Sequence, residues 1–329
     1  MADFFGKSRQ VNGTFARSAQ AEAPKKRFLS SNARRKRKLI ALEAGRSGLN
    51  LADKELQFDK IGYWSEVKLE IIKRYGVEYS KILTAKGFGH IYIDAFAGGG
   101  HHIAKSTNEL VLGSPLNALA IKPPFKEIFL IDLESAKTSR LREVIGDRKD
   151  VHILEGDCNK LLLETVFPNV RYEKYRRALC VLDPYGLHLN WKVIETAGKS
   201  RAIEIFLNFP VADINRNVLW NDPARVSQEQ VARLTTFWGD QSWRDVAYSS
   251  EGELFGHRHK EPIEVVAEAF RNRLQQVAGF KFVPQPLPMR NSRGAIVYYL
   301  YFASPNKTGD KIIRHIFGMF RDRGASRGS

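Results

Sequence analysis

The chain has 329 residues and 43% apolar content, enough for one large α/β domain plus extensions. No run of about 18 apolar residues occurs, which excludes a membrane-spanning helix, and the N-terminus has no apolar core of a secretory signal. The formal charge of +16 favours a polyanionic partner, and two cysteines exclude both a disulfide framework and a four-cysteine metal site, which fits a reducing cytoplasm.

Residues 1–23 are rich in Ser, Ala, Gly and Gln and read as disordered. A basic segment follows: Lys25-Lys26-Arg27, then Arg34-Arg35-Lys36-Arg37-Lys38, part of it helical through Glu43. Residues 1–50 hold 12 Lys/Arg against 3 Asp/Glu, a net +9, which leaves only +7 for the remaining 279 residues. Such runs fit phosphate contacts, and a solvated tail or a nuclear-targeting signal gives the same pattern. Residues 56–86 carry helical periodicity, with Trp64, Val67, Ile71, Ile72, Tyr75, Tyr79, Ile82 and Leu83 on one face. Gly76 predicts a bend or break in that helix, since Gly costs about 1 kcal/mol relative to Ala. Tyr63 and Trp64 at its start serve core packing or line a pocket.

His90-Ile91-Tyr92-Ile93-Asp94 reads as a buried strand running through Ala95-Phe96-Ala97 into Gly98-Gly99-Gly100. Glycines at a strand end let the backbone turn sharply and approach a ligand, because no Cβ intervenes. A glycine turn with no ligand is the competing reading. His101 to Asn108 is a polar stretch. Adjacent histidines point in different directions, and no carboxylate or cysteine completes a set, so no metal is expected. A helix opens at Gly113-Ser114-Pro115, with Ser114 as N-cap and Pro115 at the first helical position, and runs to Ile121.

The second strand, Glu127 to Asp132, again ends in an acid, suited to the two hydroxyls of a ribose. Glu134 is the fallback, and a cap for the helix Ser135 to Ile145 is the structural alternative. A third strand, Val151 to Leu154, leads to Glu155-Gly156-Asp157-Cys158. A fourth, Ala178 to Leu182, leads to Asp183-Pro184-Tyr185-Gly186, and a fifth, Ala202 to Asn208, to Phe209-Pro210. Cys158 and Cys180 lie in or beside these runs and read as buried thiols. Residues 211–279, with Trp220, Trp238 and Trp243, read as a helical insertion on the substrate side. Phe280 to Val283 and Ala295 to Ala303 form an expected hairpin. A last helix spans Gly309 to Phe320, and 321–329 is a tail. Strands alternating with helices, each strand ending in a polar residue, predict an α/β doubly wound parallel sheet with its site along one edge. The expected organisation is a basic extension over 1–50 and one domain over 51–320.

Asp94 to Gly100, as D-x-F-x-G-x-G, resembles the first motif of S-adenosylmethionine (SAM)-dependent methyltransferases. Five parallel strands closed by an antiparallel hairpin resemble the class I, Rossmann-like sheet of those enzymes. The resemblance implies SAM as cofactor, with Asp94, Phe96, Gly98 and Gly100 at its methionine end, Asp132 at the ribose, and Asp157 and Cys158 at the adenine. Asp183-Pro184-Tyr185 resembles the D-P-P-Y motif of amino-methylating nucleic-acid enzymes, with one proline missing. An exocyclic amine conjugated to a ring is a poor nucleophile. A carboxylate and a backbone carbonyl that accept its hydrogens draw the nitrogen lone pair out of conjugation, and an aromatic face can hold the base. No Pro-Cys dipeptide is present, so the cysteine nucleophile of cytosine-C5 enzymes is absent.

The resemblance narrows on further residues. Trp64-Ser65-Glu66-Val67-Lys68-Leu69, Gly113-Ser114-Pro115, Leu182-Asp183-Pro184-Tyr185-Gly186, Leu207-Asn208-Phe209-Pro210, Asp213-Ile214-Asn215-Arg216-Asn217 and Tyr301-Phe302-Ala303-Ser304 together look like the three-Cys-motif partner family over roughly 56–320. That family implies a partner protein bearing a three-cysteine motif reminiscent of radical-SAM iron–sulfur proteins. The expectation is a cytoplasmic methyltransferase of a nucleic-acid base nitrogen, contacting phosphates through Arg34 to Lys38. A methyltransferase of small molecules or proteins, or a non-catalytic nucleic-acid-binding module, are the alternatives.

Overall fold

The computed structural model describes residues 59–249, 259–291 and 293–325. The basic segment Arg34 to Lys38 and the rest of residues 1–50 lie outside the described residues. In chain order the elements are β1 (Lys60–Ile61), α1 (Tyr63–Ala85), β2 (Gly89–Asp94), β3 (His101–Ala104), β4 (Leu110–Leu112), α2 (Ser114–Leu119), β5 (Glu127–Asp132), α3 (Ser135–Ile145), β6 (Val151–Glu155), α4 (Cys158–Leu161), β7 (Arg176–Leu182), α5 (Trp191–Ser200) and β8 (Ile203–Phe209). There follow α6 (Val211–Asn217), α7 (Gln228–Trp238), α8 (Trp243–Ala247), β9 (Tyr248–Ser249), β10 (His259–Lys260), α9 (Ile263–Gln276), β11 (Leu287–Arg290), β12 (Ile296–Ala303) and α10 (Lys307–Ala325).

Seven strands form the central sheet in the order β11-β12-β8-β7-β2-β5-β6. The pairs β8–β7, β7–β2, β2–β5 and β5–β6 are parallel, whereas β12 is antiparallel to both β8 and β11. The sheet therefore has one reversed strand next to its edge. Successive side chains of a strand face opposite ways, so each strand feeds two cores. Tyr92, Leu130, Leu179, Val181 and Phe206 pack with α1, α2 and α10 through Ile71, Tyr75, Ala118, Ile313 and Phe317. Ile91, Ile93, Ile131, Cys180 and Leu207 pack on the other face with Val193, Leu234, Phe237 and Phe270. Phe270 of α9 lies 4.7 Å from Phe209 and 5.5 Å from Tyr301, ring to ring. Trp238 and Trp243 are buried in the same core, while Trp220 stays exposed.

Several local expectations need correction. α1 runs unbroken through Gly76, because a Cβ there would lie 2.7 Å from Ile121 Cδ1; that glycine serves close packing rather than a bend. Gly113, not Ser114, caps α2, because the Ser114 hydroxyl is turned to the Asp94 carboxylate. Within the polar stretch His101 to Asn108, the first four residues are strand β3, which pairs with β4, and also in parallel with β1, as a small three-stranded sheet. Phe280 to Val283 makes only a single bridge, Phe282 to Ser304. The strand instead is β11, whose Pro288 is tolerated because β11 lies at the sheet edge. Finally, α10 extends to Ala325, past the expected end at Phe320.

Candidate active site

The carboxyl ends of β2, β5, β6, β7 and β8 lie along one edge of the sheet, and the loops leaving them carry the candidate residues. After β2 the chain turns through Gly98 at φ +65° and Gly100 at φ +83°, a region that side chains disfavour by about 1–2 kcal/mol. The Gly98 N–H donates to Asp132 Oδ2 at 2.9 Å, and the Glu134 N–H donates to Asp132 Oδ1 at 2.9 Å. Asp132, at the end of β5, thus pins the glycine loop and the start of α3 together. Each of its oxygens keeps a lone pair for a ligand. Glu134, the fallback acid, is exposed and pairs with Lys137.

Asp94 is buried to 1% exposure. Burial pushes its carboxyl from 3.8 up to about 6, with Asp183 adding to the rise, while the Ser114 hydroxyl, the Phe96 N–H and Lys68 oppose it. The Phe96 N–H donates to Asp94 Oδ1 at 3.2 Å, and the half-buried Phe96 ring packs on the core. After β6, Asp157 caps α4 by accepting from the Asn159 N–H at 3.0 Å and is exposed. Cys158 is buried, and burial pushes its thiol up to about 12, so it is an inert wall residue rather than a nucleophile. Gly98 and Asp132 are joined by a direct hydrogen bond, and Asp94 and Gly100 stand at the two ends of the same turn. Asp157 and Cys158 stand one strand further along the same edge.

Asp183 follows β7. Its Oδ2 contacts the Lys68 ammonium from α1, and its Oδ1 accepts from Asn208 Nδ2 of β8 at 2.8 Å. Two donors from two elements fix the plane of the carboxylate. Lys68 is itself 9% exposed and stands 5.4 Å from the centroid of the Tyr298 ring. Burial is the largest single influence and lowers its pKa, but the Asp183 charge and hydrogen bond, with Tyr298 and Asp94, together outweigh it and raise the pKa, so the ammonium stays protonated. Pro184 is buried, whereas Tyr185 is 69% exposed with Lys137 Nζ 5.5 Å from its ring centroid.

The loop beyond is clamped from α6 and α7. Asp213 Oδ2 accepts from the Leu187 N–H at 3.0 Å and from Arg233 Nη2 at 2.9 Å. Gly186, at φ +64°, lets that carboxylate approach where a Cβ would stand. Beside the glycine loop, His102 Cε1 lies 3.9 Å from the position a Cβ would take on Gly98, and burial holds the His102 pKa low. Among the described residues no group of three or more His, Cys, Asp or Glu could hold a metal ion.

Lys68, Asn208 and Asp213 lie in motifs that carry the family resemblance, which implies no role for them. A signal for Lys68 was present. It is four residues from both Trp64 and Ile72, so a cation falls on the apolar stripe of α1, where it needs a buried partner. The residues fit a SAM molecule in kind: a cradle of two positive-φ glycines, a buried acid at the end of β2, and an acid with spare lone pairs at the end of β5.

No family model matches the chain, and no curated protein matches it. Solved structures do resemble it. A protein from Legionella pneumophila is 12% identical with a TM-score of 0.46, covering 77% of this chain and 91% of that one. The N-methyltransferase NodS from Bradyrhizobium japonicum, in complex with S-adenosyl-L-homocysteine, is 9% identical with a TM-score of 0.35, covering 80% and 98%. An S-adenosylmethionine-dependent methyltransferase from Mesorhizobium loti is 12% identical with a TM-score of 0.33, covering 68% and 95%. The strand order, with its reversed strand next to one edge, makes an α/β Rossmann-like sheet. No helix among the described residues is long and apolar enough to cross a membrane.

Proposed function

We propose that this chain is a cytoplasmic SAM-dependent methyltransferase that modifies a base nitrogen of nucleic acid. The observation that carries the reading is Asp183. It is a carboxylate oriented by Lys68 and Asn208, partly open to solvent at 31% side-chain exposure, within electrostatic reach of Asp94 at the glycine loop. In this reading Gly98 and Gly100 admit the methionine moiety and Asp94 faces its amino group. Phe96 flanks it, Asp132 holds the ribose, and Asp157 and Cys158 border the adenine. SAM held by these residues would supply an electrophilic methyl group carried on a sulfonium. The target nitrogen forms the new bond and sheds a proton to water. Asp183 accepts an N–H of the target amine, and the exposed ring of Tyr185 offers a stacking face beside the Lys137 cation.

Arg34 to Lys38 contact phosphates in this reading. Affinity for duplex DNA then falls with salt, and the log–log slope shrinks by about 0.9 for each contact removed. A second partner, a protein with a three-cysteine motif, follows from the family resemblance and is tested by co-purification. The deciding experiment offers labelled SAM with pools of DNA, RNA and protein. Label should enter nucleic acid. Asp183→Asn and Asp183→Ala should fold and bind SAM, yet transfer methyl about 100-fold more slowly, or about 2.7 kcal/mol on the transition-state scale. Parental rates in both variants, or label confined to protein, would refute the reading.

A further inference from the structure

We propose that Lys68 makes the Asp183 site selective for uncharged amines by excluding the alkylammonium groups that a bare carboxylate would attract. The inference rests on Asp183 being the amine acceptor and adds the class of amine it accepts. An unpaired carboxylate at the mouth of a cleft is a cation trap. Alkylamines, lysine side chains and polyamines are protonated at neutral pH, so they would fill such a site yet have no lone pair to react. Here a protonated ammonium already touches Asp183 Oδ2, carried on the buried face of α1 and seated beside the Tyr298 ring.

Stability does not explain this arrangement. A buried ion pair is often no better than apolar residues of the same volume, and Val67, Leu69, Ile71 and Ile72 around Lys68 in α1 are apolar and buried. What the pair achieves is a carboxylate that keeps its acceptor lone pairs with its charge compensated. A second ammonium on the same carboxylate would stand about 5 Å from Lys68 Nζ. At an effective dielectric of about 20 that repulsion weakens its binding, relative to an uncompensated carboxylate, by roughly a few hundredfold. A conjugated amine, such as that of a nucleobase, is uncharged and suffers no such repulsion. It donates to the lone pairs that Lys68 and Asn208 leave free.

The test uses propylammonium chloride as the cation probe, against sodium chloride at equal ionic strength, on the full chain. Binding is read by thermal shift and by one-dimensional NMR of the probe. The parent should show no response beyond salt. Lys68→Met keeps the length of the side chain and exposes the Asp183 charge, so it should bind propylammonium at least tenfold more tightly than the parent. Adding Asp183→Asn should abolish that binding. Lys68→Ala, which also leaves room for the propyl chain, should be restored in melting temperature by the probe. Equal binding by parent and Lys68→Met, or none by either lysine variant when folded, overturns the inference. These outcomes require no methyl transfer. A parent that binds no SAM would instead sink the methyltransferase reading. In the transfer assay the parent should label single-stranded oligonucleotides and not a lysine-rich peptide, and labelling of the peptide by the parent overturns the selectivity directly.

Discussion

Glu204→Gln should remove the pH dependence of stability that one buried acid imposes. Glu204 lies in β8 within a closed polar cluster. The Tyr75 hydroxyl donates to its Oε2, and the Ser304 hydroxyl donates to Oε1 at 2.8 Å. Gly309 of α10 closes the cluster, since a Cβ there would lie 2.6 Å from the Tyr75 hydroxyl and 3.0 Å from the Glu204 carboxylate. Burial pushes the carboxyl from 4.5 up to about 7, and the two hydroxyl donors only partly offset it.

A carboxyl raised in the folded state stays protonated there while the unfolded chain ionises. Its stabilisation is complete below pH 4.5 and is lost as pH rises to about 7. At 1.36 kcal/mol per unit, the loss is about 3 kcal/mol, and it levels off at higher pH. Gln keeps the shape and cannot ionise. Urea unfolding of both chains from pH 4 to 8 is the assay, because Asp94 and every other titrating group cancel in the difference. Parent minus variant should fall by about 3 kcal/mol across that range, several degrees in melting temperature for a domain of this size. A difference that does not change with pH would refute the assignment of a buried, proton-holding Glu204.

Asp94, pushed up to about 6, is about one-tenth ionised at pH 5. SAM should therefore bind about tenfold more weakly at pH 5 than at pH 7 by calorimetry, and Asp94→Asn should flatten that dependence. Gly186→Ala places a Cβ at φ +64° against the Asp213 carboxylate. It should cost about 2–4 kcal/mol in urea unfolding, from left-handed strain plus displacement of Asp213; an unchanged midpoint would contradict the clamp. Burial raises the pKa of both Cys158 and Cys180. Neither should react with iodoacetamide in the folded chain, and both should label in denaturant.

The sheet was legible because its strands are short apolar runs of β-formers, each closing on a polar residue, and Asp94, Asp132 and Asp183 all follow such runs. Periodicity failed where packing overrode composition. His101-His102-Ile103-Ala104 has too little apolar character to announce a strand, yet β1 and β4 pair with it on both sides. Pro288 disguised β11, because a proline is compatible with a strand only at an edge, and edges are a property of the assembled sheet. Gly76 looked like a helix breaker because Ile121, the side chain that needs its missing Cβ, is 45 residues away. That glycines and acids fall at the ends of successive strands could be read from the sequence. The partners of Asp183 could not, since Lys68 and Asn208 reach it from 115 residues before and 25 residues after.

The pairing of β1 with β3 has a practical meaning for anyone cutting this protein into pieces. The Ile103 N–H donates to the Asp59 carbonyl at 3.0 Å, and the Lys105 N–H donates to the Ile61 carbonyl at 2.8 Å. Those carbonyls come from just before the first core helix, yet they complete a sheet that follows the glycine loop. An expressed fragment beginning at Tyr63 would contain every strand of the central sheet and all of α1 to α10. It would still leave one side of β3 bare, with His101 and His102 on a ribbon anchored only through β4. Such a fragment should look well folded by circular dichroism and exchange its β3 amides rapidly. The working start of the domain is therefore no later than Asp59.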